Sequence, residues 1–291
     1  MRRTCPYCGS AKRRRGPARA TLRYAECGHC GSGYVVSEPI DFRVYYQVYD
    51  PALVRAMPPI LRVRYCEMIG ALATAPGRRM LEVGCGNGHF LSTARELGWQ
   101  VCGTELSRAH AERARSQGLD VVYGDLVEEP LFPGRLFDAV VAMEVIEHLP
   151  EPARFLAVAA DRLVPGGLVF LTTPNFGSVT RRLLGPQWSV LDEEHVALAS
   201  PAGLALALGA AGFDIVRLRS KSLYVGEYRR ALRGKGDGAG VPLAAENAEL
   251  RDRIEDSRLL SSLKSVANAV LGATGLGEAL ECVARLRPRG G

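Results

Sequence analysis

The sequence predicts an α/β fold, in which helices cover both faces of an open, mostly parallel sheet, preceded by a small cysteine-rich module. Three observations carry this prediction. Short apolar segments with the character of buried strands alternate with helical segments through the middle of the chain. Three of these strands run into an acidic residue or a glycine-rich loop, as in sheets that bind a ligand beyond the carboxyl ends of their strands. Two Cys-x-x-Cys pairs stand near the N-terminus.

The first strand of the predicted sheet leads into a glycine-rich loop. Residues 80–88 read MLEVGCGNG, with Gly84, Gly86 and Gly88 at alternate positions. Glycine allows the backbone to turn sharply and to approach a ligand closely. In the dinucleotide pattern G-x-G-x-x-G the third glycine comes one position later, where this chain has His89. The loop therefore indicates an adenosyl ligand that carries an amino acid instead of phosphates.

The next two strands each lead to an acidic residue. Glu105 ends the segment 100–105, where a β-α-β unit holds an acid that accepts hydrogen bonds from ribose hydroxyls. Asp125 follows the segment 120–124 and is well placed to accept a hydrogen bond from an adenine amino group. A fourth strand over 136–142 continues the pattern, so the sequence predicts a ligand at the carboxyl edge of the sheet.

Together these segments resemble the class I S-adenosylmethionine (SAM)-dependent methyltransferases. The matching motifs are EVGCGNG at 82–88, Glu105, Asp125, FDAVV at 137–141, EVIEHL at 144–149, LVPGG at 163–167 and LTTPN at 171–175. The resemblance implies a Rossmann-like sheet of seven mostly parallel strands, with SAM as the cofactor. The residues that it assigns to SAM are Glu82, Gly84, Gly86, Gly88, Glu105, Leu106, Asp125, Leu126, Met143 and Glu144. Among them, the glycines border the methionine part, Glu105 the ribose and Asp125 the adenine.

The N-terminal module contains C-x2-C, eighteen residues, and a second C-x2-C. Its members are Cys5, Cys8, Cys27 and Cys30, and a glycine follows the second cysteine of each pair. Four thiolates predict a closed tetrahedral zinc site, which is structural because no coordination position is open. The alternative is a set of free or redox-active thiols, although neither pair opens a helix beside a strand. His29 is expected to be exposed, and the cysteines without metal spacing to be small buried residues: Cys66, Cys85, Cys102 and Cys282.

The N-terminal module, called the zinc ribbon from here on, is strongly basic. Residues 1–37 contain eight Arg or Lys against the single acid Glu26, a net charge of +7, whereas the whole chain has +6. One interpretation is contact with a polyanion such as RNA. The other is a solvated basic loop, and it is favoured because the stretch lacks interleaved aromatic residues that would stack on bases.

The composition divides the chain into segments before and after the predicted sheet. In order, these are the zinc ribbon (1–37), a linker and lid helix (38–76), the SAM-binding methyltransferase core (77–219), a helical insertion (220–277) and a last strand with a C-terminal tail (278–291). Tyr45, Tyr46 and Tyr49 either provide aromatic faces for a sulfonium or pack the ribbon onto the core. An apolar stripe over 243–271 predicts a helix that belongs to the core or pairs two subunits as a homodimer.

Two histidines are candidates for a catalytic base. Methyl transfer is an in-line displacement, and an oxygen nucleophile must also lose its proton, for which histidine is the usual acceptor. His195 follows the fifth strand, where substrate-facing loops emerge, near the apolar Trp188 and before the helix start Ser200-Pro201. It either acts as the base or fixes the loop by hydrogen bonding. His148 is the second candidate.

His148 belongs to the run EVIEH at 144–148. This run resembles one that is linked to a divalent cation in the ubiquinone-biosynthesis O-methyltransferases. Glu144 and Glu147 are three residues apart and can share a helical face. In the other interpretation, Glu147 and His148 only shape the turn after the fourth strand.

We expect a SAM-dependent methyltransferase with a small-molecule substrate, and a hydroxyl of a sugar, polyketide or other natural-product scaffold is the first hypothesis. The alternative is an RNA methyltransferase that holds RNA with the basic ribbon. Against it, the position after the fourth strand reads EVIE rather than a polar-Pro-Pro-aromatic motif. A non-catalytic protein of this fold is a third class. No run of eighteen apolar residues and no signal-like N-terminus occur, so we expect no membrane partner and a cytoplasmic location.

Overall fold

The computed structural model describes residues 4–19, 22–37, 59–221, 270–272 and 274–288 of the chain. Tyr45, Tyr46 and Tyr49 of the predicted lid segment, and nearly all of the predicted 243–271 helix, lie outside these residues. The strands are β1 (Arg13–Arg19), β2 (Leu22–Cys27), β3 (Gly33–Val35), β4 (Arg79–Val83), β5 (Gln100–Glu105), β6 (Asp120–Tyr123), β7 (Phe137–Met143), β8 (Leu163–Pro174), β9 (Ala197–Leu198), β10 (Phe213–Lys221) and β11 (Ala279–Leu286). The helices are α1 (Pro59–Gly70), α2 (His89–Glu96), α3 (Arg108–Ser116), α4 (Pro152–Asp161), α5 (Val179–Leu184) and α6 (Pro201–Ala210).

The described residues form two sheets, and the larger one has seven strands in the order β10–β11–β8–β7–β4–β5–β6. The strands from β8 to β6 are parallel, while β11 pairs antiparallel with both β8 and β10. The central β7 and β8 are almost wholly buried and read as near-continuous apolar runs, as expected for strands covered on both faces. Strand order reverses at β4, which creates a crevice at the carboxyl ends of β4 and β7.

A second sheet joins the zinc ribbon to the rest of the protein. Its order is β1–β2–β3–β9, and all of its pairings are antiparallel. The first three strands belong to the ribbon, but β9 comes from the segment between β8 and α6. A two-residue strand has no periodicity, so the sequence does not predict this shared sheet.

One hydrophobic core extends through both sheets. Tyr34 of the ribbon lies in the same cluster as Phe176 and Trp188, and each of the three is fully buried. A Cβ at position 33 would overlap the ring of Phe176, so Gly33 permits this close packing. Trp188 is therefore a core residue that helps to join the ribbon to the large domain.

A local signal in the sequence accounts for the start of α6. α6 begins as predicted, because Oγ of Ser200 accepts a hydrogen bond from the N–H of Gly203 at 2.9 Å and Pro201 is its first residue.

Three of the four non-ribbon cysteines are buried as predicted, but Cys66 is only half-buried, since it lies on α1 at the outside of the sheet. Within the described part of the chain, no helix has the length and apolar character needed to span a membrane.

Candidate active site

The glycine-rich loop connects β4 to α2 and has the backbone that its sequence predicts. Gly84, Gly86 and Gly88 have φ values of 70°, 53° and 76°, in the left-handed region that favours glycine. The N–H of Gly86 donates to Oε2 of Glu105 at 2.7 Å. A Cβ at Gly86 would meet no heavy atom within 4 Å, so this side of the loop is open to a ligand.

Two buried carboxyl groups lie near the ends of β4 and β5. Glu105 accepts hydrogen bonds from the N–H groups of Gly86 and Ser107, both at 2.7 Å. Glu82 is 2% exposed, and its Oε2 has no hydrogen-bond partner among the described residues. Burial, and then the negative charge of Glu105, raise the pKa of Glu82 well above its usual range.

This arrangement fits SAM, which is positively charged at its sulfonium and its amino group. A cation beside Glu82 and Glu105 would offset the repulsion between the two carboxyl groups. A buried acid without a partner is otherwise costly, and the unpaired oxygen of Glu82 is such a group. The chain's own charges are thus suited to a cationic adenosyl ligand.

The other residues assigned to SAM follow neighbouring strands. Leu106 comes after β5, Asp125 and Leu126 after β6, and Glu144 after Met143 at the end of β7. Because β7, β4, β5 and β6 are adjacent and parallel, these positions lie along one edge of the sheet. Asp125 is half-buried and Leu126 is buried in the core. Their individual contacts with SAM stay predictions.

A strained turn follows β7. Glu144 has a φ of 52°, which is uncommon for a residue with a side chain and occurs preferentially at functional sites. The short 3-10 helix Ile146–His148 begins two residues later, so the shared helical face predicted for Glu144 and Glu147 does not form. Glu147 is fully buried, and its Oε2 accepts a hydrogen bond from Oγ1 of Thr173 at 2.9 Å. Burial, and then the charge of Glu144, raise the pKa of Glu147.

The structure brings the two candidate bases together. The ring centroids of His148 and His195 are 4.8 Å apart. Nδ1 of His195 lies 2.8 Å from the carbonyl oxygen of Val190 and 3.0 Å from Oδ1 of Asp192. Nδ1 of His148 lies 3.1 Å from the carbonyl oxygen of Glu194. Because these partners are acceptors, Nδ1 carries the hydrogen in each neutral ring, which leaves Nε2 of His195 as its basic nitrogen.

The environments of the two rings shift their pKa values in opposite directions. Burial, and then the charge of His195, lower the pKa of His148 to about 4. Burial also lowers the pKa of His195, but the hydrogen bond and charge of Asp192 outweigh it, so the net change is upward. His148 is therefore neutral at pH 7, whereas His195 keeps its proton to a higher pH than an ordinary histidine.

Three of these side chains also form a candidate cation site. Glu147, His148 and His195 each offer one ligand atom, and these atoms lie within 4.8 Å of one another. A carboxylate with two imidazoles suits several divalent cations. The geometry is thus compatible with both interpretations of the EVIEH run, a cation site and a structured turn.

The zinc ribbon brings its four cysteines together. The Sγ atoms of Cys5, Cys8, Cys27 and Cys30 lie within 4.8 Å of one another, and the Cys5–Cys30 and Cys8–Cys27 pairs are 3.6 Å apart. A tetrahedron with Zn–S bonds of about 2.3 Å has edges of about 3.8 Å, so the cluster fits a structural zinc. His29 is exposed, as predicted, and its backbone N–H points to Sγ of Cys27 at 3.4 Å.

Comparison with known proteins identifies the family. A family model described as a methyltransferase domain matches residues 60–218, more than half of the chain. The chain therefore belongs to the SAM-dependent methyltransferases, and the predicted enzyme class and cofactor are confirmed.

Two curated relatives have the same description. The chain is 32% identical over 170 residues to a ubiquinone biosynthesis O-methyltransferase of Burkholderia thailandensis, covering 52% of this chain and 71% of the relative. It is 36% identical over 121 residues to one of Nitrosococcus oceani, but there the match covers 40% of this chain and only 50% of the relative. The similarity is thus concentrated in the methyltransferase domain.

Solved structures confirm the fold. A SAM-dependent methyltransferase from Archaeoglobus fulgidus superimposes with a TM-score of 0.53, covering 78% of this chain and 93% of the other. Sequence identity is 19%, so this likeness concerns the fold alone. The predicted Rossmann-like sheet of seven mostly parallel strands is confirmed.

Some contacts around the histidine pair could not be predicted from the sequence. Asp192 precedes His195 by three residues, and that spacing is a signal that the sequence does contain. Tyr24 and Arg19 of the ribbon contact the loop of His195, but they are about 170 residues away along the chain. No local pattern indicates contacts of that kind.

Proposed function

We propose that this protein transfers the methyl group of SAM to a hydroxyl of a small molecule, with His195 as the general base and His148 beside it. The observation that carries the proposal is the His148–His195 pair, whose rings lie 4.8 Å apart beyond the carboxyl ends of β7 and β8. The description of the curated relatives as O-methyltransferases supports an oxygen acceptor. Bound SAM supplies an activated methyl group, so the protein mainly aligns the acceptor and removes its proton.

The partners of His195 suit it to accept a proton. Asp192 and the carbonyl oxygen of Val190 hold Nδ1–H, which orients Nε2 for the acceptor hydroxyl. As the proton arrives, the carboxylate of Asp192 stabilises the imidazolium that forms. His148 stays neutral and does not compete for the proton, because its pKa is about 4.

The acceptor that we propose is a sugar, polyketide or other natural-product scaffold. RNA is the second candidate, because Lys12, Arg14 and Arg15 of the ribbon are exposed. A shift assay separates the two: phosphate contacts would make the logarithm of RNA affinity fall linearly with the logarithm of salt concentration. Methylation of hydroxylated small molecules without any RNA shift at low salt supports the first acceptor class.

The variant His195→Gln tests the base. We expect kcat to fall by roughly 10² to 10⁴, because general-base catalysis contributes about that factor. In the wild type, kcat should rise with pH and inflect above about 6.5, the ordinary histidine value, since the groups around His195 raise its pKa. The groups facing it are Asp192, Glu194, Glu147 and His148. This inflection should be absent in His195→Gln.

The matched control is His29→Gln, the same substitution at an exposed histidine outside the pair, and it should retain normal turnover. Near-normal turnover of His195→Gln would show that another group acts as the base. If wild-type turnover instead required an added divalent cation that accepts imidazole ligands, such as Zn²⁺, the cluster of Glu147, His148 and His195 would act as a cation site.

A further inference from the structure

We propose that the zinc ribbon holds the candidate base in place, with Tyr24 and Arg19 as positioning residues for His195. The inference rests on the proposed function, since it assigns a role to the ribbon in the same site. The segment between Gln187 and β9 contains no helix or strand. Its conformation rests on hydrogen bonds within the segment and on contacts made from outside, and the ribbon supplies several of the outside contacts.

Tyr24 makes the most direct of these contacts. It lies on β2 and is 3% exposed. Its hydroxyl group lies 2.7 Å from the carbonyl oxygen of His195 and 2.9 Å from that of Asp192. One donor thus reaches the backbone of both the candidate base and the acid that orients its ring.

Arg19 holds the preceding part of the same loop. Nη1 of Arg19 lies 3.1 Å from the carbonyl oxygens of Trp188 and Leu191, and 3.3 Å from that of Ser189. A guanidinium can serve several acceptors because its donors are fixed in one plane. Three carbonyl groups of a segment without regular secondary structure therefore point to the guanidinium group of Arg19.

A continuous row of backbone hydrogen bonds links the ribbon to both histidines. The N–H of Val35 in β3 donates to the carbonyl oxygen of Val196 at 3.0 Å. The N–H of Val196, the residue after His195, donates to the carbonyl oxygen of Glu147 at 2.9 Å. Glu147 immediately precedes His148. The backbone beside His195 is thus joined directly to the backbone beside His148 and, through Val35, to the ribbon.

The cysteine-bearing parts of the ribbon hold the far end of the loop. The carbonyl oxygen of Cys30 accepts a hydrogen bond from Oγ of Ser200 at 2.5 Å. The hydroxyl group of Tyr7 donates to the carbonyl oxygen of Ala197 at 2.8 Å. β9 and the start of α6 are therefore attached to the two Cys-x-x-Cys pairs, so ribbon contacts occur along the segment from Trp188 to Ser200.

The test compares Tyr24→Phe with Tyr34→Phe in the full-length, zinc-loaded protein. Both substitutions remove a buried hydroxyl group from the ribbon, but that of Tyr34 has no hydrogen-bond partner among the described residues. For Tyr24→Phe we expect kcat to fall by about tenfold at unchanged KM for SAM, since small misplacement of a catalytic group costs up to about 10² in rate. Tyr34→Phe should behave as the wild type.

A readout independent of turnover is the ring resonance of His195, identified by its loss in His195→Gln. Tyr24→Phe should change its chemical shift and titration, whereas Tyr34→Phe should not. Arg19→Gln provides a second variant at an exposed position and should have the same effects, with Arg23→Gln as its control. Zinc content is measured for every variant, so that loss of the metal is recognised.

The outcomes separate the two proposals. If the His195 resonance and kcat of both Tyr24→Phe and Arg19→Gln match the wild type, the positioning role is overturned. If the resonance changes while kcat stays normal, the ribbon does position His195, and it is the role of His195 as base that fails.

Discussion

At the scale of single residues, the strongest electrostatic feature is the pair Glu82 and Glu105. Both carboxylate oxygens of Glu105 accept hydrogen bonds from backbone N–H groups. Glu82 has an unpaired buried oxygen and a raised pKa. Glu82 therefore keeps its proton to a higher pH than an ordinary glutamate, and a cation bound beside it would favour its charged form.

We predict that SAM binding releases a proton from Glu82. The positive ligand lowers the raised pKa of this carboxyl group, so at neutral pH up to about one proton leaves for each SAM bound. Calorimetry in buffers of different ionisation enthalpy measures this number. The variant Glu82→Gln should bind without the release. A binding enthalpy that is independent of buffer in the wild type would contradict the prediction.

The sequence indicates which residue types meet at the site, but not how their environments differ. The positions of Glu82, Glu105 and Asp125 follow from the order of parallel strands, which fixes what lies at their carboxyl ends. The positive φ of Glu144 and the opposite pKa shifts of the two histidines depend on burial and on contacts distant in sequence. These are tertiary effects without a local pattern.

At the scale of elements, the contact between β3 and the loop after β8 joins the two sheets. β3 pairs with β9, and the ring of Phe176 packs directly on Gly33. The long strands of the large sheet are predictable because apolar runs and turn residues mark them. β9 is not predictable from the sequence, because its two residues form a strand only by pairing with β3 of the ribbon.

The substitution Gly33→Ala should therefore destabilise the protein. The added methyl group would overlap Phe176 in a filled core, and overpacking of this kind costs about 1–3 kcal/mol. Urea unfolding gives the change in the free energy of unfolding. Gly209→Ala, on α6, is the matched control, because a Cβ there meets nothing within 4 Å. Equal stability of the two variants would show that the contact between Gly33 and Phe176 is loose.

At the scale of the whole molecule, the ribbon and the large domain share one core. The cluster that contains Cys27 and Tyr34 also contains Phe176, Trp188 and Leu204. The ion pair between Arg181 and Glu26, with an N–O distance of 2.5 Å, adds a polar contact between the same parts. The sequence distinguishes the two parts by cysteine spacing and charge, but it contains no sign that they form a common core.

Because of this shared core, zinc removal should lower the stability of the entire protein and not of the ribbon alone. A structural zinc contributes folding free energy directly. Because the core is shared, losing the zinc should also destabilise the large domain. We expect a single thermal transition in the zinc-free protein, lowered by about 10 °C, because a loss of a few kcal/mol shifts Tm by roughly 2–4 °C per kcal/mol in a domain of this size. Calorimetry of zinc-loaded and zinc-stripped protein checks this, and restored zinc should restore the transition. Two transitions, with the larger one unshifted, would mean that the ribbon folds as a separate unit despite the common core.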